Sequence, residues 1–237
     1  MNEPPTPTGL EASGQSGLLA QFSTMILKRF EQQSTFAQHP EAQVQVPAGW
    51  KVISGGAMAN YSGAGSLLTK SMPLVVNGVP RGWIAASKNH FIPDPCVLTA
   101  YAIALYDPND KWEVVVKEQE LGAPQRNPVI SAKLEDGFAL VGGGAYDMFT
   151  EPGNLLVESR PSDDGKSWIA GGKDHIDASP AKIKAFAIGV RSVIFGKPTC
   201  SLKTSISFED RSPSETVEAS TGYAIGEYMS EFPFQND

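Results

Sequence analysis

Gly49-Trp50-Lys51-Val52-Ile53-Ser54-Gly55-Gly56-Ala57 and Gly137-Phe138-Ala139-Leu140-Val141-Gly142-Gly143-Gly144-Ala145 are the two stretches on which the reading of this chain turns. The first is followed by Leu67-Leu68, Ser71, Pro73, Trp83-Ile84-Ala85, His90, Pro95 and Ala102-Ile103. The second is followed by Leu155-Leu156, Ser159, Pro161, Trp168-Ile169-Ala170, His175, Pro180 and Ala187-Ile188. Tryptophan to histidine is 7 positions in both series, and tryptophan to proline is 12. Fixed offsets between such sparse residue types mark an internal repeat, which governs every later inference about the fold.

A third copy is present in part. Nine positions before Gly49, Gly137 and Gly222 stand Pro40, Pro128 and Pro213, and an aromatic follows each glycine as Trp50, Phe138 and Tyr223. The interval is 34 both from Ile103 to Gly137 and from Ile188 to Gly222, so the period is about 85 to 88 residues. The third copy departs from the pattern where the paired glycines should recur, with Tyr228-Met229 instead. Ser13-Gly14-Gln15-Ser16-Gly17-Leu18-Leu19 matches Ser62-Gly63-Ala64-Gly65-Ser66-Leu67-Leu68 in character, so the two chain ends are expected to complete one unit between them. The expected organisation is a tail over residues 1–9 and one β domain over 10–237. Within it, repeat 1 covers about 37–121, repeat 2 about 122–207, and repeat 3 is split between 208–237 and 10–36.

Composition bounds the class. A 25.3 kDa chain folding as one body buries roughly 70% of its unfolded surface, enough for a core without staples. Its 23 glycines and 18 prolines in 237 residues favour short strands joined by many turns. The net charge of -7 and pI near 5.0 oppose a nucleic-acid partner, since such affinity needs clustered Lys and Arg. Cys96 and Cys200 fall at non-equivalent repeat positions and read as two free thiols rather than a disulfide framework. Met1-Asn2-Glu3-Pro4-Pro5-Thr6-Pro7 has neither a basic start nor an apolar run, so no secretory signal peptide is read there. No stretch approaches the roughly 20 apolar residues of a membrane-crossing helix. The chain reads as soluble, with its compartment and any release from the cell left open.

Along the chain the period is two from Gln43 onward, the mark of strands. Leu18, Phe22, Met25, Ile26 and Phe30 fit a helical stripe, whereas the match to Ser62 through Leu68 favours strand, and strand is preferred. Gly55-Gly56 within a β-like run predicts a bulge or a close backbone approach. Ser66 to Met72 is expected as a strand and Val76-Asn77-Gly78 as a hairpin reversal. Leu98 to Tyr106 and Lys111 to Glu118 are two further strands around the turn Asp107-Pro108-Asn109-Asp110. With no βαβ alternation, the chain is all-β.

In its repeat organisation the sequence resembles the pseudo-threefold β-prism proteins, a group that includes lectins and the membrane-recognition modules of perforin-like proteins. The resemblance rests on the three proline-to-glycine-aromatic offsets, the GGA and GGGA runs, the paired LL…S.P…W stretches and the completion of one unit by both termini. It implies three related antiparallel sheets around a shared axis and a recognition role. It transfers no ligand contact to a particular residue. A tandem pair of β-sandwiches is the rival architecture.

The duplicated segments Lys88-Asn89-His90 and Lys173-Asp174-His175, each following a strand that carries Trp83 or Trp168, are the candidate ligand-binding residues. Amide or carboxylate groups suit sugar hydroxyls, and an aromatic face suits C–H groups. Repeated positions also serve packing, so Trp83 and Trp168 have a core reading beside the site reading. No metal is expected, because the histidines occur singly and the cysteines are unmatched. No cofactor is implied either. Gly165-Lys166-Ser167 fails as a phosphate loop because Arg160 stands where glycine is required. Asn60-Tyr61-Ser62 fits a glycosylation acceptor and carries meaning only in a glycosylating compartment.

These readings lead to a non-enzymatic, lectin-like recognition protein that binds a cell-surface glycan or lipid headgroup through loops. Repeated shallow sites would engage together, on a membrane-bound homo-oligomer as one form of this. The alternatives are a membrane-acting toxin component and a polysaccharide hydrolase using Asp94, Asp174 or Asp177.

Overall fold

The computed structural model describes residues 26–200 apart from 64, 151, 152, 195 and 199. The expected tail, the Ser13–Leu19 match and the third repeat over 208–237 lie outside these residues. Within them the chain is all-β, with twelve strands in three antiparallel sheets. The strands are β1 (Leu27–Gln33), β2 (Glu41–Gln45), β3 (Trp50–Asn60), β4 (Leu67–Val76), β5 (Val79–Lys88) and β6 (Val97–Tyr106). They continue with β7 (Trp112–Glu120), β8 (Val129–Lys133), β9 (Ala139–Met148), β10 (Asn154–Pro161), β11 (Ser167–Asp174) and β12 (Lys182–Ser192). Leu27 onward is therefore strand, not the helix that the apolar stripe also allowed.

Pairing sets the phase of the repeat. β1 lies on β6 and β6 on β3, just as β7 lies on β12 and β12 on β9. β2 lies on β5 and β5 on β4, as β8 lies on β11 and β11 on β10. Each unit, β1–β6 or β7–β12, is thus two three-stranded layers. A short joint, Lys70↔Tyr146 and Ser71↔Ala145, connects β4 to β9 and fuses one layer of each unit into the six-stranded sheet β2-β5-β4-β9-β12-β7.

The core follows from side-chain size. Trp83 is fully buried between its unit's layers and Trp168 is 4% exposed between those of the other. Each indole lies flat on a glycine: a Cβ on Gly55 would sit 2.3 Å from Trp83 Cδ2, and one on Gly143 2.2 Å from Trp168 Cδ2. The indole N–H donates to a serine in both copies, Trp83 Nε1 to Ser71 Oγ at 2.9 Å and Trp168 Nε1 to Ser159 Oγ at 3.0 Å. These contacts explain why glycine, serine and tryptophan recur together, because a large ring needs both a missing side chain and an acceptor. Around them are fully buried alanines, Ala100, Ala102 and Ala104 on β6 and Ala185 and Ala187 on β12, which let the layers approach closely. A register shift between Val52 and Ser54 supplies the bulge expected beside Gly55-Gly56. Along β12 the alternation turns Ile183, Ala185 and Ala187 into one core and Ile188 and Val190 into the other, while the register shift opposite Ile188 and Gly189 leaves Val141 of β9 as the extra residue.

The hairpin between β4 and β5 turns on Asn77 (φ 52°) and Gly78 (φ 77°), the two positive-φ positions an Asn-Gly turn provides. In the second unit Ser162–Lys166 replaces it, and the offset between copies falls from 88 (Pro73 to Pro161) to 85 (Trp83 to Trp168) across this connection.

Candidate functional site

The loops after β5 and β11 leave the same end of the molecule, and the structure brings their tips together. Ser87 N bonds Pro40 O at 3.1 Å, and its counterpart Gly172 N bonds Pro128 O at 2.8 Å, so both strands reach their loops on matching tracks. Asn89 Oδ1 then accepts from Asp94 N at 3.0 Å, and Asp174 Oδ2 accepts from Ser179 N at 3.0 Å. A side chain that caps its own loop in this way fixes the turn that follows.

The next layer of contacts also repeats, with its chemistry changed. Asp94 Oδ2 accepts from Gly63 N at 3.0 Å and from Gly65 N at 2.7 Å. In the second unit the neutral Ser179 Oγ accepts from Gly153 N at 3.1 Å. Asp174 takes additional bonds, from Asn154 Nδ2 at 2.8 Å and Arg126 Nε at 3.2 Å. Asn89, Asp94 and Asp174 are therefore engaged in holding loops, and Trp83 and Trp168 present no ring face to solvent.

His90 and His175 meet. The two rings stack 5.0 Å apart at 29°, with His175 Nδ1 3.0 Å from His90 Nε2. A single proton serves that contact, since one nitrogen must donate and the other accept. Phe91 lies against His90 with ring centroids 4.0 Å apart. The same loops expose Phe91 (44%), Ile92 (64%) and Ile176 (76%). Ile176 sits at φ 66°, and Asp177 N bonds His175 O across it at 2.8 Å, a tight γ-turn that a β-branched residue adopts only under strain.

Two buried ionisable residues, one from each unit, influence each other electrostatically without a hydrogen bond to either Asp147 oxygen. Lys88 ends β5 and is 1% exposed, and Asp147 on β9 is fully buried. Burial lowers the Lys88 ammonium to about 8, with Asp147 opposing the shift. Burial likewise raises the Asp147 carboxyl to about 7, with Lys88 opposing it and Asp174 adding to it. Lys88 Nζ also lies 4.0 Å from the Phe149 ring centroid. Asp147 was not among the residues singled out from the sequence. Its signal was a carboxylate at an inward strand position where the first copy has Ala59.

Lys173, the repeat partner of Lys88, is half-buried beside Asp174. Among the described residues no His, Cys, Asp and Glu grouping is suited to a metal ion. Cys96 is a buried free thiol. No family model matches this chain, and no curated protein is significantly similar to it.

Proposed function

We propose that the protein is a non-enzymatic recognition module, lectin-like in its use of repeated loops, that binds a cell-surface glycan or lipid headgroup. The convergence of the duplicated loops, which stacks His90 on His175 and leaves Phe91, Ile92 and Ile176 exposed around them, is the observation that carries this reading. Imidazole and phenyl rings give a sugar or headgroup a stacking surface, and ring nitrogens give it polar partners. The scaffold we infer is a pseudo-threefold β-prism-like array of the kind the sequence resembles. The described residues hold three antiparallel sheets, to which each of the two units contributes two three-stranded layers, and residues 208–237 of the expected third repeat lie outside them. Among the described residues no helix is long and apolar enough to cross a membrane.

Of the three carboxylates a hydrolase would use, Asp94, Asp174 and Asp177, the first two hold loops together. Asp94 and Asp174 spend their oxygens on loop N–H, amide and guanidinium donors. A membrane-acting role is the second reading, favoured by the exposed Ile92 and Ile176.

A glycan array and sedimentation with phosphatidylcholine and phosphatidylserine vesicles test the proposal. Binding in one of the two, lowered at least about tenfold by His90→Ala/His175→Ala with an unchanged melting temperature, is the expected result. No binding in either, or no bound glycan or vesicle whose binding the double variant lowers, rejects it. Dye release from the same vesicles separates the membrane-acting reading.

A further inference from the structure

At the joint between β4 and β9 the surface opens into a cleft of about 200 Å³ bordered by His39, Glu41, Thr69, Lys70, Tyr146 and Phe149. The first four belong to one unit and the aromatic pair to the other, so only the assembled joint creates it. Lys70 Nζ lies 3.0 Å from Glu41 Oε2 and 4.8 Å from the Tyr146 ring centroid. An ammonium, a carboxylate and an aromatic ring therefore surround one opening, with the buried Thr69 beside them.

The repeat itself supplies the argument that this polar set is not a by-product of packing. At the offset of 88, the positions of His39, Glu41, Thr69 and Lys70 are occupied in the second unit by Asn127, Val129, Val157 and Glu158. The Gly-Trp-Ser contacts persist in both copies while these four side chains do not, so the fold of a single unit does not demand them.

Their chemistry narrows the ligand. The Lys70 and Glu41 charges cancel, which disfavours phosphate or another anion, yet the pair keeps donors and acceptors for neutral hydroxyls. Tyr146 and Phe149 offer apolar surface to C–H groups. The volume is below the roughly 300–1,000 Å³ of a drug-sized site, which suits one sugar ring rather than a long chain.

We propose that this cleft is a monosaccharide site, taking a neutral pyranose such as the terminal hexose of a glycan. The inference borrows from the recognition reading only its broad ligand class. It uses none of the histidine-loop residues, so the two succeed or fail separately.

Saturation-transfer NMR on the full chain, with D-galactose, D-mannose and N-acetyl-D-glucosamine as probes and orthophosphate as the anionic control, tests it. The variant Glu41→Val/Thr69→Val installs the other unit's residues, and Glu41→Gln serves as a conservative second variant should the first melt early. At least one sugar is expected to saturate on the unaltered protein. Its Kd should rise about tenfold or more in either variant and stay unchanged in His90→Ala/His175→Ala. The proposal is overturned if no sugar saturates, if orthophosphate displaces the bound sugar, or if the cleft variants bind as the parent does. Loss of sugar binding in the histidine variant alone would also overturn it, while leaving the loop-based reading standing.

Discussion

The two units share one skeleton and differ in what they hang on it. Strand pairing, the glycine beneath each tryptophan and the serine on each indole N–H are the same in β1–β6 and β7–β12. The loops are not: a carboxylate at Asp94 faces a hydroxyl at Ser179, an amide at Asn89 faces a carboxylate at Asp174, and Asp147 has only Ala59 as its counterpart. Duplication thus separates two kinds of residue. The glycines, tryptophans and serines that stayed the same serve packing, the histidines that stayed the same meet at the loop tips, and the residues that diverged around the inter-unit joint leave room for a further ligand chemistry to be specified.

That division breaks most visibly at the glycines. Gly55→Ala and Gly143→Ala each place a methyl within 2.5 Å of the indole ring and of a backbone oxygen, Tyr101 O or Phe186 O. Each should cost more than about 3 kcal/mol. Urea unfolding curves that show similar losses in both units uphold the equivalence, and a loss confined to one unit breaks it.

The unduplicated pair predicts a smaller effect tied to pH. Asp147 holds its proton more tightly folded, at about 7, than at its ordinary value of 3.8, so stability falls as pH rises between those values. Lys88, at about 8 instead of 10.5, returns stability as pH rises from 8 toward 10.5. Melting temperature should therefore pass through a minimum near pH 7 to 8. Asp147→Asn should remove the acid-side slope, a difference on the order of 2 kcal/mol between pH 5 and pH 7. A slope that survives the substitution assigns it elsewhere.

The serines sharpen the comparison at a lower level. Ser71→Ala and Ser159→Ala each strand an indole N–H in the core, at about 1–2 kcal/mol. Near-equal midpoint shifts in chemical denaturation are expected. The smallest effect is at Ile176, where glycine relieves the positive φ: Ile176→Gly should raise stability by about 1 kcal/mol while weakening vesicle binding if the exposed side chain engages lipid. A drop in melting temperature would contradict the strain.

Much of this skeleton was legible in the residues alone. Offsets between glycines, tryptophans and prolines gave the repeat, period-two alternation gave the strands, and Asn77-Gly78 announced its turn. Gly55 signalled a close approach, although the ring that approaches it, Trp83, stood equally well as a binding surface until its burial was seen. Two things escaped. The β4–β9 joint has only two paired positions, too few to leave a pattern in sequence, so Tyr146, Phe149 and Lys70 gave no sign of standing together. Asp147 lies in a strand whose neighbours are read for apolar alternation, and a lone carboxylate there looks solvent-facing until its partner Lys88 is placed in space. The histidines were singled out as two equivalent loops, and nothing in their spacing said that the loops would touch.

The narrowness of the β4–β9 joint has a mechanical consequence. Elsewhere in the six-stranded sheet, load is shared along five or more paired positions per neighbouring strand, whereas here it passes through Lys70, Ser71, Tyr146 and Ala145. Along the six-stranded sheet that line holds the fewest backbone bonds, and the core in which Ala139, Ile188 and Val190 pack with Val52 and Ile53 carries the rest of the connection between the halves.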